Sequence, residues 1–154
     1  MERSALLKSA MKIQPASPVS ANEYQENIEQ MVVKMNSYMQ GREDILDLIG
    51  KKNLAMMRDN HANHARFIGS ILANYNPEVL VDTVLWVFRA YRSRGFSSNY
   101  WAAQLNAWIM ILKETLNTDA YKEIYPYYEW MQINIPYFVE LSEVDLGLNS
   151  SEHS

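Results

Sequence analysis

Apolar residues recur every three or four positions along most of the chain, and nowhere do they alternate with polar ones for long enough to suggest a strand. Tyr24, Ile28, Met31, Met35 and Tyr38 define one such stripe, and Ser20 followed by Glu23 has capping-box spacing, so a first core helix is predicted to about residue 39. Gly41 breaks it. A long second helix is then predicted from Asp44 to Tyr75, because Leu54, Met57, His61, His64, Ile68, Ile71 and Tyr75 follow alternating steps of four and three.

Asn76 as N-cap and Pro77 at the first helical position open a third helix, which Arg92 and Arg94 close against the dipole before Gly95. That helix is apolar nearly all round, through Val79, Leu80, Val81, Val84, Leu85, Trp86, Val87, Phe88 and Tyr91, so it should be the most enclosed element of the fold or of a dimer. Phe96 with Ser97 or Ser98 opens a fourth helix, with Trp101, Leu105, Trp108, Ile109, Leu112 and Leu116 on one face. Thr118 caps a fifth. Pro126 should kink this last helix, and Pro136 should kink or end it, leaving Phe138, Val139 and Leu141 as a final turn.

The pattern predicts an all-α chain: one single-domain bundle of about five helices, mostly antiparallel because the connections are short, with a proline-kinked last helix. A globin-like arrangement of the same elements is the alternative, since the helices are unequal. Residues 1–19, where Leu6, Leu7, Ala10 and Met11 could make a short amphipathic turn that Pro15 and Pro18 end, read as a mobile N-terminal arm or a dimer-exchanged piece, residues 20–145 as the helical domain and residues 146–154 as a disordered tail.

Composition narrows the functional classes. With 154 residues, 48% of them apolar, the chain is of single-domain size and can bury a substantial core. A formal charge of −4 offers no basic footprint for a phosphate backbone, so nucleic acid is not an expected partner. Disulfides, thiolate metal sites and thiol nucleophiles are excluded by the lack of cysteine, which fits a reducing, cytoplasmic location. No apolar run reaches the roughly 20 residues a membrane span needs. The start is interrupted by charges and does not read as an export signal.

The feature that stands out chemically is the NHANH segment. His61 and His64 both occupy the apolar seam of the second helix, flanked by Asn60 and Asn63. A buried polar group without a partner costs about 1 to 3 kcal/mol, so these groups must be satisfied by protein, water, metal or ligand. One expectation is a polar network that fixes register. The other is a pocket for a ligand or cofactor, since two imidazoles three apart can approach one point. Trp101 and Gln104, with the aromatic series Tyr121, Tyr125, Tyr127, Tyr128 and Trp130, are candidates to complete it, although aromatic residues at this spacing also suit a plain core.

A metal bound by His61 and His64 would require further ligands, such as Glu129 or Asp82. The paired Glu-x-x-His motifs of di-iron bundles and the spacing of zinc proteases are missing. Haem would need an axial histidine, yet the third, fourth and fifth helices contain none. Arg89, Arg92 and Arg94 offer either an anion site or a solvated helix end. No phosphate loop or nucleophile elbow appears, so a non-catalytic role is expected. The resulting expectation is a small regulatory or sensory signalling domain, homodimeric through its third helix, with a small-molecule ligand at Asn60, His61, His64, Trp101 and Gln104. The alternatives are a protein-protein interaction module whose polar groups only set register, and a haem- or metal-binding protein.

Overall fold

The computed structural model describes residues 2–146, without the side chains of residues 144–146. The expected tail, residues 147–154 in particular, lies outside the described residues. The chain is a single all-helical domain of eight helices among those residues: α1 (Arg3–Ala10), α2 (Pro18–Gln40), α3 (Ile45–Ile49), α4 (Leu54–Ala73), α5 (Pro77–Arg92), α6 (Ser98–Thr115), α7 (Thr118–Ile133) and α8 (Ile135–Leu146). None is long and apolar enough to cross a membrane.

Three additional helices correct the expected count of about five. The first lies inside the segment read as an arm: α1 buries Leu6 and Ala10. It is tied down by the Tyr75 hydroxyl, which donates to the Ala10 carbonyl, and by Trp130 Nε1, which donates to Ser9 Oγ at 2.8 Å. The second arises because the predicted helix from Asp44 to Tyr75 is split. Gly50, at φ 91°, adopts a backbone that side chains other than glycine's resist, and it separates the five-residue α3 from α4. Asn53 clamps this break by donating through Nδ2 to the carbonyls of Ile49 and Arg94, at 2.7 and 2.9 Å. The third is α8. Asn134 ends α7, its Nδ2 donating to the Trp130 carbonyl, and Pro136 falls in the first turn of a new 12-residue helix, where a missing amide donor costs nothing. Pro126 lies within α7.

The N-caps of α5 and α6 are those read from the pattern, with Asn76 Oδ1 accepting from the Val79 amide and Ser97 Oγ from the Asn99 amide. For α2 the cap is Ser17 rather than Ser20, followed by Pro18 as the first helical residue. Ser20 instead donates to Glu123 Oε2 at 2.6 Å. The cap of α7 is Asn117, one residue before Thr118.

Packing does not follow chain order. α2 lies against α4, α6 and α7, and α5 lies against α8 and α1, while α4 and α5 scarcely touch although only three residues connect them. The expectation that short connections make packed neighbours therefore fails at this junction. The α2/α4 crossing is close because Gly69 has no side chain: a Cβ there would lie 3.0 Å from Gln25 Oε1 and 3.2 Å from Ile28 Cδ1. Within the single chain, the expectation that α5 is the most enclosed element of the fold is also corrected. Leu80, Val81, Val84, Leu85 and Phe88 are buried, but Val79 and Trp86 are 44% and 56% exposed.

Candidate functional site

Standing apart from α4 and α6, α5 leaves a cavity of about 230 Å³. α4 contributes Asn60, Asn63, His64 and Phe67 to its wall, and α6 contributes Trp101, Gln104 and Leu105. Val84, Val87 and Phe88 of α5 also line it, Phe88 stacked on Trp101 with ring centroids 4.5 Å apart, and Met131 of α7 reaches it. Among the described residues, no Lys, Arg, Asp or Glu lines the cavity. Trp86 borders it and also a shallower groove that runs past Asp59 and Arg94.

Of the residues singled out in the sequence, Asn60, His64, Trp101 and Gln104 come together at this cavity, whereas His61 does not line it. His61 points into the packed interior, fully buried, and its Nδ1 donates to Asn36 Oδ1 of α2 at 2.7 Å. With the proton on Nδ1, Nε2 is an acceptor, and it has no partner in the chain. The ring packs edge-on to Trp108, with centroids 6.2 Å apart.

His64 is half-buried and stacks on the other side of this arrangement, 5.1 Å from the Trp108 ring at an interplanar angle of 26°. Its Nε2 and the Tyr128 hydroxyl are hydrogen-bonded at 2.8 Å. Beside it the Tyr24 hydroxyl donates to the Ala65 carbonyl at 3.0 Å. Burial lowers both imidazoles from the usual 6.5 to about 3, with the proximity of His61 adding to the effect on His64. Both rings are therefore neutral at physiological pH. Burial likewise pushes Tyr24 above the usual phenol range and Tyr128 well above it, so these hydroxyls stay protonated.

A second polar group joins α4 to α6. Asn60 Oδ1 accepts from the Tyr100 hydroxyl at 2.7 Å and from Gln104 Nε2 at 3.0 Å, and all three residues are buried. Tyr100 and Asn36 are the functional-site residues that the sequence did not point out. Asn36 follows Met35 of the α2 stripe, and that adjacency to the core was its only signal.

The other candidates fall outside this assembly. Asn63 is exposed and accepts from Arg66 at 2.7 Å, although it also edges the cavity. Arg92 is committed to structure: its guanidinium donates to Glu143 at 2.9 Å, to Ser142 Oγ and to the Val139 carbonyl, which fastens α5 to α8. Asp82, proposed as a metal ligand, pairs with Arg3 at 2.7 Å, and Glu129 is exposed. Among the described residues no three His, Asp or Glu side chains are grouped so that they could hold a metal ion. The single imidazole at the cavity has its Nε2 engaged by Tyr128, which leaves a haem iron no prepared axial ligand.

No protein-family model, curated protein or solved structure matches the chain. Its function must be argued from this geometry.

Proposed function

We propose that the protein is a small regulatory or sensory domain that takes up an uncharged, mainly apolar molecule between α4 and α5. The observation that carries this reading is the cavity itself: about 230 Å³, walled mainly by aliphatic and aromatic side chains, with Asn60, His64 and Gln104, and also Asn63, Thr83 and Tyr91, supplying its polar groups. A cavity of about 150 Å³ already accepts benzene in a well-packed host, so this one has room for a substituted monocyclic ring or a short branched chain. A pocket of this kind, apolar with a few convergent polar groups, is the usual form of a small-molecule site.

The reading favours a globin-like arrangement over an up-and-down bundle. Its support is the eight unequal helices and the close pairing of helices distant in sequence, α2 with α6 and α7 and α5 with α1 and α8, beside the successive pair α6 and α7. It does not extend to haem, for want of an axial ligand.

A second reading, an interaction module, is favoured by a specific observation: Asn60, His61 and His64 each have a partner within the chain, as a register-setting network requires. Under either reading, two copies meeting through Val79 and Trp86 of α5 would give the expected homodimer.

Titration of the full chain with ethylbenzene, followed by tryptophan fluorescence and by line broadening of the ligand's NMR signals, tests the preferred reading. Saturable binding is expected, with loss of it in Val87→Phe, whose ring would occupy the cavity. Absence of binding to the wild-type chain by ethylbenzene and by a polar ring compound of the same size alike would sink the ligand-site reading and leave the interaction module.

A further inference from the structure

We infer that the cavity selects a neutral ligand whose polar end both accepts and donates hydrogen bonds, a carboxamide on a compact apolar body being the fitting class. This rests on the ligand-site reading above and deepens it. Asn60 Oδ1 accepts two hydrogen bonds, from Tyr100 and from Gln104 Nε2, which uses both of its lone pairs. That pairing fixes the orientation of both amides. What Asn60 can still offer is the two N–H bonds of Nδ2, and what Gln104 can still offer as an acceptor is Oε1.

Trp101 adds a third group. The residue lines the cavity with 3% of its surface exposed, and its buried Nε1–H has no hydrogen-bond partner among the described residues. A buried donor left in that state is costly, and a ligand acceptor would relieve the cost. A carboxamide oxygen can accept from Asn60 Nδ2 while its nitrogen donates to Gln104 Oε1, and a small turn of the Trp101 ring would bring its Nε1–H to the same oxygen. Its hydrocarbon part would then face Leu105, Val84 and Phe88.

The same inventory rejects ions. A carboxylate would meet Gln104 Oε1 without any cation in the wall to compensate its lost hydration, and an ammonium would meet no carboxylate. His64, neutral and tied to Tyr128, supplies no charge.

The test uses three ring compounds of similar size, benzamide, ethylbenzene and benzoate, titrated into the full chain at neutral pH. Benzamide is expected to bind, and benzoate at least about tenfold more weakly. Gln104→Met keeps the side-chain length but removes the acceptor, and the ratio of benzamide to ethylbenzene affinity should fall by about tenfold. Trp101→Phe, which keeps an aromatic ring and deletes the N–H, should lower that ratio about threefold and provides the test if Gln104→Met does not fold. Ethylbenzene binding with no benzamide binding, equal binding of benzoate, or an unchanged ratio in the variants would overturn the inference and leave the cavity reading standing. If none of the three compounds bound, the cavity reading would fall with it.

Discussion

On one side of α4, Gly69 brings the backbone so close to α2 that a Cβ would lie 3.0 Å from a neighbouring side-chain oxygen; on the other, a cavity of about 230 Å³ holds α4 and α5 apart. The two sides belong to one 20-residue helix and share a polar segment, NHANH. They treat polar groups differently. Facing α2, His61 is sealed in and bonded to Asn36, so its imidazole serves packing. At the cavity, Asn60 and His64 are held from behind by Tyr100, Gln104 and Tyr128, so that their positions are set before anything enters. Polarity buried on the tight side specifies the fold. On the loose side, under the proposed ligand-site reading, it would specify a contact.

Acid provides the most forceful way to break both sides together. Each imidazole has a folded-state pKa of about 3 against an ordinary 6.5, so its contribution to stability is complete above pH 6.5 and is lost as the pH falls toward 3. Between pH 6.5 and 5 carboxylates are still ionised, and urea denaturation should show stability falling with a slope approaching about 2.7 kcal/mol per pH unit for the two groups together. Replacing either histidine with glutamine should halve that slope. A flat profile over this interval would mean that the rings are open to protonation in the folded state, and the distinction between a sealed and a solvated side would collapse.

Added bulk separates the two sides. Gly69→Leu forces a branched side chain into the α2 contact and should cost about 3 kcal/mol or prevent folding, as read from the urea midpoint and far-ultraviolet circular dichroism. Val87→Phe adds volume on the cavity side, where space exists, and should alter stability by less than about 1 kcal/mol. Equal penalties would mean that the cavity wall is as unyielding as the α2 crossing.

Tyr128→Phe should have an effect between these two. It removes the hydroxyl bonded to His64 Nε2 and should destabilise by about 1 kcal/mol, measured by the same denaturation. A loss well above that would indicate that the phenol is part of a larger cooperative network with Tyr24.

The class of fold was legible in the chain because it depends on local periodicity, and so was the oddity of His61 and His64 in an apolar seam. Their division of labour was not. It depends on Asn36, Tyr100 and Tyr128, which lie 25, 40 and 64 positions from their partners, and no pattern within a helix pairs such residues. The break at Gly50 was hidden because Leu48, Ile49, Leu54 and Met57 continue the apolar rhythm across it. At α1 the apolar positions Leu6, Leu7, Ala10 and Met11 allowed a short turn, but its docking was not legible, since what holds it is Tyr75 and Trp130, far along the chain. Likewise, the apolar circumference of α5 suggested complete enclosure, because sequence reports how much apolar surface a helix has and not how much its neighbours cover.

The attachment of α5 is a matter of leverage. Its main supports are α1, through Arg3 and Asp82 among other contacts, and α8, through Arg92 and Glu143, so the wall of the cavity is anchored to the first and last described helices rather than to its own neighbours in sequence. Cavity width and the docking of those two helices are thus linked quantities, and by reciprocity whatever occupies the space must tighten or loosen them by the same free energy with which their docking alters its binding.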